Sequence, residues 1–171
     1  MTNSTVQTEL TVSRHGKYLT FAMGNEEYGL EILKVREIIG YMSITPVPRV
    51  PIYIKGVINL RGQVIPVIDL RTKLGMEEFD ITDQTCIIVV EVQQGSSQFT
   101  AGIIVDHVQE VLDIDSDRIE ESLSFGSSVN IDMILGMAKI DNSVKILLDI
   151  DKVLGGDDIN DAMSEMKQVI D

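Results

Sequence analysis

The second half of the chain repeats the first, and this duplication limits what the chain can fold into more than any other feature. Gly29, Val35, Glu37 and Ile38 recur as Gly102, Val108, Glu110 and Val111 at a constant offset of 73 residues. Ile54, Gly56, Val64, Asp69, Leu74 and Gly75 recur as Ile134, Gly136, Val144, Asp149, Leu154 and Gly155 at an offset of 80. One insertion of seven residues, in the polar connection around Asp113 to Asn130, accounts for the change. Extra loop length there adds little entropy of closure.

Each copy presents the same local signals. Lys17 to Gly24 alternates, with Leu19, Phe21 and Met23 on one side, and predicts a strand turned by Gly24-Asn25 into Glu27 to Leu30. After a loop marked by Pro46, Pro48 and Pro51, Gly56 to Leu60 meets Val64 to Ile68 across Arg61-Gly62-Gln63, a hairpin whose copy turns at Asp141-Asn142-Ser143. Pro66 lacks an N–H, which predicts an edge strand or a bulge at that point. Asp69 and Asp149 each precede a short run ending in Leu-Gly and read as caps of short helices. Several short strands, a long loop and one helical turn per copy favour a small barrel, because closure removes the exposed edges of short strands. The expected fold is therefore all-β, two five-stranded barrels with short helices. The subdomains are placed at about 15–82 and 83–155, with exchange of terminal strands or helices between them left open. Residues 1–14 read as a disordered tail. Residues 156–171 read as a tail or helix, with Ile159, Met163, Met166 and Ile170 at helical spacing.

Charge and composition narrow the function. Fourteen basic against 27 acidic residues give a net charge of -13, whose field repels nucleic acid and anionic membrane surfaces. Trp is absent, which removes the usual stacking platform for single strands. No stretch approaches the roughly 20 apolar residues that span a bilayer, and Met1 to Ser13 has no apolar signal core, so a cytoplasmic protein is expected. A lone cysteine, Cys86, in an apolar run reads as packing in a reducing compartment. His15, His107 and Cys86 match no zinc or catalytic spacing. Asp113, Asp115 and Asp117 imitate a calcium loop but lack glycine at its sixth position (Arg118) and glutamate at its twelfth (Ser124). No phosphate-loop pattern occurs around Gly56 or Gly62. No metal, cofactor or catalytic activity is expected, and a protein partner is favoured.

The duplication also carries a control: what the fold requires should recur. Gly29/Gly102, Gly56/Gly136 and Asp69/Asp149 recur and are assigned to turns and caps. Arg61 does not recur; its counterpart Asp141 has the opposite charge. Arginine is a frequent anchor in interfaces, so Arg61 becomes a candidate partner residue.

The stretch Ile54-Lys55-Gly56-Val57-Ile58-Asn59-Leu60-Arg61-Gly62, continued by Val64 to Arg71, resembles the signature of the CheW family, the coupling proteins of bacterial chemotaxis. Glu27 to Ile32, leading into Val35-Arg36-Glu37-Ile38, resembles it as well, and the likeness extends over about Lys17 to Gly155. The resemblance implies two SH3-like five-stranded barrels enclosing a hydrophobic groove. It also implies an adaptor recruited to membrane receptor arrays, where it joins a CheA-type histidine kinase to methyl-accepting chemoreceptors. Carried over, Val35, Glu37, Gly56 and Arg61 would line or flank the receptor groove, with Gly102, Val108 and Val111 opposite. Met42, Ile44 and a second surface near Phe125 would meet the kinase, although Glu120-Glu121 departs from the family pattern there. The residues present include no receiver or kinase domain, which points to a stand-alone coupler, monomeric when free. The rival reading is a barrel pair that binds another ligand or serves a chemosensory output other than swimming.

Overall fold

The computed structural model describes residues 16–77, 80–120 and 131–156, together with Ile159, Asp161, Ala162 and Ser164. Among the described residues eleven strands form two sheets. Strands β1 (Gly16–Met23), β2 (Glu26–Glu31), β3 (Val35–Gly40), β4 (Ile54–Leu60) and β5 (Gln63–Asp69) come from the first copy, followed by helix α1 (Leu70–Lys73). The second copy supplies β6 (Cys86–Gln94), β7 (Ser97–Val105), β8 (His107–Ile114), a two-residue β9 (Ile119–Glu120), β10 (Ile134–Ile140), β11 (Ser143–Leu148) and helix α2 (Ile150–Val153). One sheet has the order β8-β1-β2-β11-β10-β9 and the other β3-β6-β7-β5-β4. The fold is all-β with short helices; α1 and α2 are each capped by an aspartate, Asp69 accepting from the Arg71 amide and Asp149 from the Asp151 and Lys152 amides, and Ile159, Asp161, Ala162 and Ser164 are helical as well.

Neither sheet belongs to one copy. The β1–β2 hairpin of the first copy completes the sheet of the second, and β6–β7 completes that of the first, so the sheets do not divide at residues 82 and 83. Connection length dictates this exchange. Three residues, Ile32–Lys34, separate β2 from β3, and Asp106 alone separates β7 from β8. For a copy to close on itself, β3 would have to lie antiparallel to β1 and hence parallel to β2, which requires a return of one strand length, roughly 20 Å for six residues. Three residues reach about 10 Å. The chain therefore runs on into the other sheet.

The exchanged seams are parallel ladders in equivalent register: Val67 opposite Gly102, and Leu147 opposite Gly29. A Cβ on Gly29 would come within 2.8 Å of Leu147, and one on Gly102 within 2.7 Å of Ile87. These two glycines are thus mid-strand residues of the seams, not turn residues. Gly56 and Gly136 also lie within strands, each at a register shift beside the segment that closes its barrel. Thr45 exchanges two 2.9 Å hydrogen bonds with Val57, and β9 pairs with β10 at the equivalent place. A Cβ on Gly56 would sit 2.0 Å from the Thr45 carbonyl oxygen, and one on Gly136 2.9 Å from that of Glu120.

Both hairpin turns are two residues long, one shorter than the sequence suggests. Arg61 and Gly62 have φ of 52° and 86°, Asp141 and Asn142 of 50° and 59°, the left-handed pair of a type I′ turn that matches strand twist. Pro66 lies in an interior strand, but the β5–β7 ladder begins only at Val67, so at Pro66 itself the strand is locally an edge. His107 opens β8.

The continuous apolar run of β6 reflects burial on both faces. Ile87 and Val89 point into the barrel of the first copy with Ile58, Ile65 and Val67, whereas Ile88 and Val90 join a core shared by both sheets. That shared core contains Leu19, Phe21, Met23, Leu30, Ile103 and Leu148, so the space between the sheets is largely filled. Ile159 and Ala162, in the C-terminal segment, are buried in it too, so this segment is docked at those positions. Met163, Met166 and Ile170 lie outside the described residues, as do residues 1–15 and the insertion at 121–130. No helix among the described residues is long and apolar enough to cross a membrane.

Candidate functional site

The expected site residues fall into three groups. The first is built from the tip of the β4–β5 hairpin and the start of β3. Arg61, 73 % exposed, extends from the hairpin turn and donates to the carboxylate of Glu37, which is 28 % exposed. The pair borders a cleft of about 370 Å³ also lined by Arg36, Gln63, Val89 and Thr100, at one end of the barrel. The Asn59 side chain accepts from the Gly62 amide at 2.8 Å and stiffens the turn. Arg36 donates to Thr100 at 3.2 Å on the same surface. The cleft therefore presents an exposed guanidinium beside a carboxylate, a polar arrangement suited to side chains and carbonyls of a protein partner.

The second group edges the shared core. In an antiparallel pair, directly opposed residues share a face. Val35 opposes Val90, and Ile38 opposes Ile88; Val108 opposes Phe21, and Val111 opposes Leu19. All four partners are core residues, so Val35, Ile38, Val108 and Val111 border the shared core from β3 and β8, the terminal strands in their sheet orders. Val35 and Val108 pack against the core, whereas Ile38 and Val111 leave 43 % and 47 % of their surface exposed. Sequence reasoning selected Val111 but missed Ile38, its copy, although the repeat itself pairs them. Gly102 is buried in the seam and does not reach this edge.

The third group surrounds the closing segment after β3. Met42 is exposed, and Ile44 is half-buried against the barrel interior. A Cβ on Gly56 would lie 3.0 Å from Ile44 Cγ2, so Gly56 is grouped with this segment and not with Arg61. Ile44 lines a second cleft of about 330 Å³ with Tyr41, Lys55, Ile81, Arg71 and Asp106, none of which borders the Arg61 cleft. Burial alone would push the Asp106 carboxyl up; hydrogen bonds from Arg71 and the Gly24 amide, with the charge of Arg71, outweigh it and hold the carboxyl below its ordinary value. Phe125 lies outside the described residues.

Two hairpin-exchanged barrels with an exposed arginine–carboxylate cleft, an apolar edge and a separate closing-loop surface define a β-scaffold of the two-barrel type. The family model described as "CheW-like domain" matches residues 17–157, and the chain belongs to the CheW family. It is 36% identical over 143 residues to the chemotaxis protein CheW of Klebsiella aerogenes, covering 84% of each chain. It is 36% identical over 141 residues to that of Bacillus subtilis, covering 81% of this chain and 86% of that one. The crystal structure of scaffolding protein TtCheW from Thermoanaerobacter tengcongensis superposes with a TM-score of 0.75 at 34% identity, over 84% of this chain and 90% of that chain.

Proposed function

We propose that the chain is a non-catalytic chemotaxis adaptor that couples a CheA-type histidine kinase to chemoreceptors at membrane-bound arrays. The observation that carries this reading is the Arg61–Glu37 pair: an exposed, non-recurring arginine held in a left-handed turn position that the other copy fills with aspartate. A chain that needed only the turn would place Asn, Asp or Gly there. The receptor's hairpin tip lies along the edge formed by Val35, Ile38, Val108 and Val111, with Arg61 and Glu37 contacting its polar side chains. The regulatory domain of the kinase docks on the surface of Met42 and Ile44; the cleft lined by Ile44 shares no lining residue with that of Arg61. A second kinase contact is assigned to Phe125. Family membership and the scaffolding role named for a relative support this reading.

The test is reconstitution of the full chain with kinase and receptor-bearing vesicles. Receptor-controlled autophosphorylation of the kinase should require the chain, and the chain alone should turn over no ATP. Kinase control that proceeds equally without it, or ATP turnover by the chain that a point substitution abolishes, overturns the proposal.

A further inference from the structure

The exchange of hairpins poses a recognition problem that connection length does not solve. Each copy (β1 to α1, and β6 to α2) needs the hairpin of a partner copy, and the two copies share strand order and seam register. Within one chain only the mixed pairing is available. Between two chains, however, first copy could pair with first copy and second with second, with the same connections and nearly the same apolar seams. Such homotypic pairing would link chains into dimers and longer assemblies.

Ion pairs distinguish the two cases. At each crossover between sheets, a helix residue of one copy grips the crossover of the other. Arg71 of α1 donates through Nε to Asp106 Oδ1 at 2.6 Å and through its terminal nitrogen to Oδ2; Asp106 also accepts from the Gly24 amide at 2.8 Å. At the equivalent place Asp151 of α2, which matches Arg71 at the offset of 80, holds Lys34 at 2.7 Å and accepts from the Gln93 amide at 2.7 Å. The two clamps have the same construction and opposite polarity. A third pair lies in one seam: Lys145 of β11, 6 % exposed, donates to Glu27 of β2, its register partner. The other copies of these positions are Ile65 and Thr100.

We infer that this reversed polarity is a pairing code that directs each copy to its complement in the same chain and rejects the like copy of another chain. A first-with-first pair would set Lys34 against Arg71, which is 5 % exposed, and Glu27 against Ile65. A second-with-second pair would set Asp106 against Asp151 and leave Lys145 facing Thr100. Each mismatch recurs twice in a symmetric pair. Arg71 and Lys145 are buried, where an uncompensated ion is among the most costly contacts in a fold; Lys34, Asp106 and Asp151 are partly exposed, and their repulsion adds a smaller mismatch of the kind that confers specificity.

The test uses the full chain and three variants. Lys34→Asp with Asp151→Lys keeps an ion pair in the second clamp but gives both clamps one polarity, which erases this part of the code. Arg71→Asp with Asp106→Lys erases it the other way. All four substitutions together restore opposite polarities in reversed order. After unfolding in urea and refolding at high protein concentration, the associated fraction is read by size exclusion with light scattering. Each double variant should refold with about tenfold more dimer and larger species than the parent chain, the ratio set by a lost discrimination of about 1.4 kcal/mol, whereas the fourfold variant should return to monomer. Never-unfolded double variants should stay monomeric, because the hairpins must separate before they can re-pair. Double variants that refold as monomers, a fourfold variant that associates as much as they do, or native double variants that associate on concentration alone would each overturn the code.

Discussion

Replacement of Arg61 by asparagine separates a folding role from a binding role at one position. Arg61 holds φ at 52° in a turn whose other copy places Asp141 at 50°. A residue with a β-carbon in this left-handed region costs about 1 to 2 kcal/mol, a penalty that Asn partly relieves and Ala does not. The ion pair with Glu37 involves a guanidinium 73 % exposed, so its loss is worth about 0.2 to 1 kcal/mol. Relief and loss therefore nearly cancel in Arg61→Asn, which should keep its stability within about 0.5 kcal/mol of the parent. Arg61→Ala keeps the backbone penalty, loses the pair and should be the less stable of the two. Affinity for a receptor fragment should follow a different order: both variants should lose about 1 to 2 kcal/mol, because both remove the anchor. Kinase affinity should stay near the parent value in both, since Ile44 lines the other cleft and neither Met42 nor Ile44 borders that of Arg61. Urea midpoints and calorimetric titration on the same preparations provide the three measurements. An asparagine variant destabilised by more than about 1.5 kcal/mol would show that Arg61 supports the fold. One that kept full receptor affinity would remove Arg61 from the interface.

Three other perturbations test the remaining parts. Gly56→Ala places a Cβ 2.0 Å from the Thr45 carbonyl at φ +144°, and urea unfolding should show a loss above about 2 kcal/mol with Met42 and Ile44 displaced. Truncation after Gly156 removes Ile159 and Ala162 from the shared core and should lower stability by about 2 to 4 kcal/mol in the same assay; an unchanged midpoint would show that their burial adds nothing. Burial and the neighbouring Asp149 push the Glu31 carboxyl up against the pull of Lys34. A raised native value means that ionised Glu31 opposes folding: its contribution is most favourable below the unfolded carboxyl value of about 4.3 and declines as pH rises through the native one. Glu31→Gln should therefore be more stable than the parent at pH 7 and lose that advantage on acidification, as urea titrations across pH would show.

Much of the architecture is written in local pattern. The alternation of β1, the Gly24-Asn25 turn and the aspartate caps act within a few residues, and each stands where periodicity and capping chemistry place it. Partner choice among strands is a different matter, because hydrophobic alternation shows which face is buried and not which neighbour buries it. The exchange of β1–β2 for β6–β7 was nonetheless encoded in connection length: three residues between β2 and β3, and one between β7 and β8. Without strand boundaries to within a residue, such connections cannot be counted, and boundaries are the weakest part of any pattern reading. The roles of Gly29 and Gly102 were hidden for the same reason, since the close approach of Leu147 to Gly29 across a seam, and of Ile87 to Gly102 from the neighbouring strand, appears only once strand partners are known.

Comparison of the two copies is most informative where they differ, provided burial is then used to sort the differences. Arg61 and Asp141 differ at an exposed turn that either residue can close, so the arginine is free to serve a partner. Arg71 and Asp151 also differ in sign, yet Arg71 is 5 % exposed and each is matched by an opposite charge at the crossover of the other copy. Lys145 replaces the equivalent of Ile65 and meets Glu27 across the exchanged seam. A difference on the surface whose partner lies in its own copy points outward to binding, whereas a difference matched by an opposite charge in the other copy points to the other half of the same chain. The sequence shows that Arg61, Arg71 and Lys145 each break the repeat, but only burial and partner identity separate the first from the other two.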